Sequence, residues 1–361
     1  MKAFKISILA AAAACLAIQG LAADAKSTIS LGMSGYIDSN YNFDVNAKNG
    51  TLNLNQVGLD ITASDSSLGI KGVASLTKST EAVSGIDYLS VAQLYAEKSF
   101  FDSSLDVKLG RFYTFVGFEG VPTVKNFNET YSLLFNAEPV NHDGLELTYT
   151  SNGFTALGMA AENSYDTSLK DYGLQLGYAK GDASISASFL QSPVTGIDYN
   201  GNNVADQISV SENRDLFNVV ASGKVLDNLE VAAEYFYISQ LASNLGDDSY
   251  ASPINYYPDT YDSKSPKQQG YSLYSRYTVG SFSLAPRFTT MFMPDGPDLM
   301  NSTGAAPKTA YQYTLTGKYV VGSFTAYLEG NVLASSDDDF RIDSTKEKSQ
   351  TNVLLGGSYQ F

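Results

Sequence analysis

Ionisable side chains that could bind a charged solute recur on one face of several predicted strands. Arg276 and Arg287 lie on two strands joined by a tight turn, and Lys318 lies on the following strand, each directed away from the apolar face. The alternation therefore predicts that the three bases share one wall of a polar interior. Three acids face the same way on flanking strands: Glu230, Glu234 and Glu329. We expect an interior of mixed charge.

The long connection from Phe112 to Asp143 is too apolar for an exposed loop. Its apolar residues include Phe115, Phe118, Phe127, Tyr131, Leu133, Leu134 and Phe135, and its acids are Glu119, Glu129 and Glu138. We predict that this connection folds inward and presents its acids opposite Arg276, Arg287 and Lys318. The resulting transverse field would select small polar solutes by size and charge. The alternative is that the connection contains one or two further wall strands.

His142 is the only histidine, and it is followed by Asp143. A hydrolase usually needs a histidine base beside a serine or an aspartate, so an outer-membrane hydrolase is one alternative. The favoured interpretation of His142 is a turn residue. The sequence contains no cysteine–histidine cluster for a transition metal and no glycine-rich phosphate loop after a strand. We therefore expect no enzymatic activity, no metal and no cofactor.

Strict alternation of apolar and polar residues predicts the elements that position these side chains. From Leu31 to Phe43, and again from Thr351 to Phe361, every second residue is mostly apolar and the residues between are mostly polar or small. Between these ends, strands of similar length come in pairs around turns such as Gly280-Ser281 and Gly322-Ser323. Tight turns of this kind join antiparallel hairpins.

Long polar segments separate the hairpins, namely 191–213, 239–269, 293–309 and 334–350. Short turns at one end and long loops at the other are typical of an outer-membrane barrel. We predict an all-β, transmembrane, antiparallel up-and-down β-barrel of about 16 strands. In the second strand Leu52 and Leu54 are out of phase with Val57, so we expect a β-bulge there.

The N-terminus has the layout of a secretory signal peptide, with Lys2 and Lys5 before an alanine-rich apolar run. We assign residues 1–23 to this signal and residues 24–361 to the barrel. Small residues allow cleavage after Ala22, Ala23 or Ala25. A lipoprotein signal ending at Cys15 is a less favoured alternative.

Charge and aromatic content indicate the partners. The net charge of -15 argues against nucleic acid, which requires a basic surface. The 25 tyrosines and 19 phenylalanines would form girdles at the two membrane interfaces. Tyr359 and Phe361 end an amphipathic strand in a way that resembles the signal read by the barrel-assembly machinery. We expect outer-membrane lipid, lipopolysaccharide and that machinery as partners.

Between Leu109 and Gly144 the chain resembles the OmpL-like outer-membrane β-barrel porin family. The matching residues are Gly110-Arg111-Phe112, Gly117-Phe118-Glu119, Tyr131-Ser132-Leu133-Leu134-Phe135, Pro139, and His142 with Gly144. The chain departs from the family in being tyrosine-rich and lacking tryptophan. The resemblance implies a passive channel and no particular substrate. We expect a water-filled channel for small hydrophilic solutes and ions, and analogy with porins of this size suggests a homotrimer. The alternative is a structural or adhesive barrel with a closed lumen and partner-binding loops.

Overall fold

The computed structural model describes ten stretches of the 361 residues: 29–65, 70–80, 87–163, 169–194, 212–239, 267–292, 309–336, 340–342, 345–347 and 349–361. The predicted signal peptide and its cleavage sites lie outside the described residues. Most of the long polar segments between hairpins also lie outside them. Among the described residues, no helix is long and apolar enough to cross a membrane.

Sixteen antiparallel strands form one closed ring in which β1 pairs with the last strand, β18. The strands are β1 (Ile29–Asp44), β2 (Asn49–Asp65), β3 (Ile70–Thr80), β4 (Asp87–Phe100), β5 (Leu105–Tyr113), β6 (Asn141–Ser151), β7 (Phe154–Glu162), β8 (Lys170–Lys180), β9 (Ala183–Val194), β10 (Glu212–Leu226), β11 (Leu229–Ser239), β12 (Lys267–Val279), β13 (Phe282–Phe292), β14 (Thr309–Val321), β15 (Phe324–Ser335) and β18 (Ser349–Gln360). Two short strands between β15 and β18, β16 (Phe340–Ile342) and β17 (Thr345–Glu347), pair only with each other. The predicted barrel and its strand number are confirmed.

Alternating burial gives the ring two chemically different faces. On β14, Tyr313 and Leu315 are half exposed, whereas the intervening Gln312, Thr314 and Thr316 are buried. Soluble proteins bury their large apolar side chains, and here those side chains are on the outside. We call the face that carries the exposed apolar side chains the outer face, and the opposite face the inner face. The predicted alternation thus places polar side chains inside the ring.

Exposed aromatic side chains form two rows on the outer face. Near the short turns, Phe282 lies in register with Tyr319, and Phe324 lies in register with Tyr359. A second row, nearer the long connections, includes the exposed pair Tyr235 and Tyr271, and the exposed Tyr313 in register with the half-buried Phe288. Two aromatic rows separated by aliphatic residues match the girdles found at both membrane interfaces of outer-membrane barrels.

The second strand contains the expected irregularity. Asp38 pairs with Gln56 and Asn40 pairs with Asn53, so one residue on β1 lies opposite two residues on β2. This β-bulge brings Leu52 and Val57 to the same face despite their odd spacing. The predicted bulge is confirmed, and so are the hairpins at Gly280 and Gly322, whose φ of +58° suits the tight turns.

The ring closes through a backbone contact between its two ends. Gly35 on β1 exchanges backbone hydrogen bonds of 2.9 and 3.0 Å with Phe361. A Cβ at position 35 would lie 2.6 Å from the carbonyl oxygen of Gly58 and 2.7 Å from the Phe361 ring. This position therefore requires glycine, because the obstructing atoms include the backbone of the neighbouring strand β2.

We expect Gly35→Ala to destabilise the barrel by about 1–3 kcal/mol, the usual cost of overpacking. Urea titration of the protein folded in lipid vesicles measures this loss. Gly330→Ala is the matched control, since a Cβ at Gly330 on β15 meets open space. Equal stabilities for the two variants would contradict the requirement for glycine at position 35.

Candidate functional site

Residues 114–140 connect β5 to β6 and form the candidate site, which we call the 114–140 segment. The segment contains two short 3-10 turns, Thr123–Lys125 and Phe135–Ala137, and contributes no wall strand. The alternative interpretation as additional wall strands is therefore wrong. The apolar side chains of the segment pack into one buried cluster with inner-face residues: Val116, Leu134 and Ala137 with Phe112, Leu157, Met159, Ala161, Leu190, Leu216, Phe236, Ile238, Met291 and Ala310.

Polar side chains from strands all around the ring bind the backbone of the 114–140 segment. On one side Gln56 of β2 donates to the Val121 carbonyl at 3.2 Å, and on another Gln175 of β8 donates to the Phe115 carbonyl at 2.7 Å. Gln312 of β14 accepts from the Leu133 amide at 2.9 Å. The inner wall therefore holds the segment from several directions.

A base and an acid bind the two sides of the turn at residues 129–131. Arg287 of β13 donates to the carbonyl oxygens of Thr130 and Tyr131 at 2.6 and 3.1 Å. Glu329 of β15 accepts from the amides of Glu129 and Thr130 at 2.7 and 3.1 Å. Hydrogen bonds to charged groups are stronger than those between neutral groups. Arg287 and Glu329 together therefore fix the backbone of the turn.

Two ion pairs join the segment to the same wall. Arg287 contacts Glu119 at 2.6 Å with side chains 0% and 3% exposed, and Lys318 contacts Glu129 at 2.6 Å with side chains 10% and 1% exposed. We expected these acids to face the bases across an open gap. The structure instead places them in direct contact, because a buried charge without a partner is costly. These four charges are thus neutralised in pairs.

Glu138 and Glu234 are two buried acids that contact each other. The Asn218 amide donates to Glu234 at 2.7 Å and to Glu138 at 3.5 Å, and Tyr274 donates to Glu234 at 3.0 Å. Burial, and then the adjacent Glu234, raise the pKa of Glu138 well above its usual value. The raised pKa favours the protonated form of Glu138, which can donate a hydrogen bond to Glu234. Burial also raises the pKa of Glu129 to about 7, although Lys318 opposes the shift.

Arg276 and Glu230 are the most accessible of the predicted pore-lining residues. They pair across β11 and β12 at 2.5 Å, and both side chains are 31% exposed. The Arg276 guanidinium also lies 4.2 Å from the ring centre of Phe127 in the 114–140 segment. This pair remains in contact with solvent while the other predicted bases are buried.

His142 is not a turn residue, because it lies in β6 near the start of the strand. Its buried ring is 3.1 Å from the Thr114 hydroxyl and stacks on Phe115. The Asp143 carboxylate binds Arg111 in two hydrogen bonds of 2.7 and 2.5 Å. Successive strand residues point to opposite faces, so His142 and Asp143 do not form a catalytic pair. Among the described residues, no three histidine, cysteine or acidic side chains could hold a metal.

Comparison with known proteins gives the family. The family described as "Putative beta-barrel porin-2, OmpL-like" matches residues 30–361. The chain belongs to this family. Among the curated proteins, none matches the sequence.

Solved outer-membrane proteins share the porin fold at low identity. The anion-selective porin from Comamonas acidovorans is 15% identical with a TM-score of 0.61, covering 92% of this chain and all of that one. The channel DcaP of Acinetobacter baumannii is 12% identical with a TM-score of 0.63, covering 92% and 97%. The trimer form of OmpT from Vibrio cholerae is 12% identical with a TM-score of 0.59, covering 92% and 100%.

Uncharged polar residues of this barrel are site residues that the sequence analysis missed. Asn128 donates to the Ala285 carbonyl at 2.9 Å and to the Thr316 hydroxyl at 2.7 Å, and Gln56 and Gln312 hold other parts of the segment. The strand alternation already directed Gln56 and Gln312 inward. Their partners lie far away in sequence, so no spacing pattern could have identified them.

We expect Arg287→Met to loosen the 114–140 segment, because it leaves Glu119 buried without its ionic partner at a cost of about 3–5 kcal/mol. Hydrogen exchange measured by mass spectrometry should show amides near residues 129–132 exchanging roughly a hundredfold faster or more. The double variant Arg287→Met with Glu119→Leu should recover part of the protection, since it removes both charges. Protection equal to wild type in the single variant would show that the ion pair does not hold the segment.

Proposed function

We propose that this outer-membrane barrel is a porin, a water-filled channel for passive diffusion of small hydrophilic solutes and ions, with no enzymatic activity. The 114–140 segment would fold into the lumen and narrow it. One observation carries this proposal: the segment bonds to Gln56, Gln175, Gln312 and Glu329, on strands distributed around a closed ring. A segment can reach all of these strands only across the interior of the ring.

Exposed charges on the inner face support a path for water beside the segment. Lys71 is exposed, Glu97 is half buried, and Arg276 and Glu230 each retain 31% exposure. Charged groups at a constriction govern which ions and solutes pass. The excess of acid, with a net charge of -15, favours cations over anions. This expectation differs from the selectivity named for the Comamonas porin.

Assembly and export belong to the same proposal. Residues 1–23 would be removed as a signal peptide, and the barrel-assembly machinery would insert residues 24–361 into a membrane of lipid and lipopolysaccharide. The trimer form of the Vibrio cholerae OmpT supports a homotrimer for this chain. The exposed aromatic rows supply the surface that such a membrane contacts.

Planar-bilayer recordings of the purified protein test the channel. We expect discrete conductance steps, with a reversal potential that shows cation preference in a salt gradient. Arg287→Met should enlarge the steps, because a loosened segment blocks less of the lumen. Lys98→Gln is the control, since Lys98 is exposed beside the outer-face Phe100. A folded barrel without conductance would overturn the proposal and favour a structural or adhesive barrel with a closed lumen.

A further inference from the structure

Two side chains of opposite charge on neighbouring strands remain without a partner. Lys71 of β3 lies in register with Glu97 of β4. Lys71 is exposed and Glu97 is half buried. Within the part of the chain that the structure describes, neither of them forms an ion pair or a side-chain hydrogen bond. An ammonium group and a carboxylate are thus both available to a third molecule.

Strand register places both side chains on the inner face. Further along the same two strands, the Gln93 amide donates to the Ser75 hydroxyl at 3.1 Å, and Ser75 is buried. Lys71 and Glu97 are each four residues from this pair and therefore share its face. Glu97 is also in register with Lys108 of β5, whose ammonium lies over the buried Phe112 ring.

Two pairs of opposite charges elsewhere on the inner face are already in direct contact. Lys108 binds Glu146 at 2.6 Å on the adjacent strands. On the opposite side of the ring, eight steps from β3 and β4 in the strand order, β11 and β12 carry the Glu230–Arg276 pair at 2.5 Å. Lys71 and Glu97 differ from these pairs in offering two free charges side by side.

The spacing of the two charges matches a solute that carries both signs. Neighbouring strands are about 4.8 Å apart, so flexible lysine and glutamate side chains can bracket a small molecule. A solute carboxylate would accept from the Lys71 ammonium while its own ammonium donates to the Glu97 carboxylate. A solute with only one charge would satisfy one side chain and meet a like charge at the other. Electrostatic complementarity of this kind gives specificity more than affinity.

We propose that Lys71 and Glu97 form a weak docking site for zwitterionic solutes, in particular small amino acids, on the inner wall of the barrel. The inference rests on the proposed channel function and names a solute class for it. Solvent-exposed ion pairs are individually weak. Weak binding suits passage, because a solute must both enter and leave such a site.

Liposome-swelling rates for alanine and lactamide test the docking site. The two solutes are close in size, but only alanine is zwitterionic. We expect wild type to admit alanine faster than lactamide. Lys71→Gln and Glu97→Gln should each lower the alanine-to-lactamide ratio by at least about twofold, the effect expected from losing one weak charged contact. Lys98→Gln, on the opposite face of β4, should leave the ratio unchanged.

The exchange variant, Lys71→Glu combined with Glu97→Lys, keeps the net charge of the wild type and reverses the positions of the two docking charges. A solute can bind the exchanged pair by rotating, so the ratio should return toward wild type. The docking site would be overturned if the single variants left the alanine-to-lactamide ratio unchanged. It would also be overturned if the exchange variant gave a ratio as low as that of the single variants. If neither alanine nor lactamide enters the liposomes, the channel proposal itself fails. If lactamide enters and alanine is no faster, only the docking site is excluded.

Discussion

Closure of the strand ring by backbone hydrogen bonds is the constraint on which the rest of this structure depends. Gly35 and Phe361 pair where β1 meets β18, so the sheet has no free edge. A closed ring has an inside and an outside, and side chains that alternate along each strand must belong to one or the other. Apolar residues such as Tyr313 are exposed outside, and polar residues such as Gln312 are buried inside.

The polar interior then determines how the 114–140 segment is held. Its backbone amides and carbonyls would be costly to bury without hydrogen bonds, and Arg287 and Glu329 supply those bonds at one turn. The acids of the segment carry the same cost, which Arg287 and Lys318 offset by direct pairing. The charges that hold the segment are therefore largely withdrawn from solvent, and the charges left exposed lie elsewhere on the wall.

The fold could be predicted in detail because alternation is a local property of the chain. The strand number, the hairpins and the bulge at Leu54 all follow from which residues are apolar and from the turn residues between them. The same alternation directed Arg287 and Glu329 away from the apolar face. It could not say which inner-face residues meet, because Glu119 and Arg287 are 168 positions apart and contact each other only after the ring closes.

The sequence alone determined a closed, all-β barrel with an apolar exterior and a polar interior, since side-chain direction in a strand depends only on residue parity. Tertiary structure alone decided that Glu119 and Glu129 pair with the wall bases instead of facing them across a gap. It also decided that His142 is buried against Phe115 and that Lys71 and Glu97 keep their charges free. These outcomes depend on the distances between strands and on the path of one connecting segment, and both are set by three-dimensional packing.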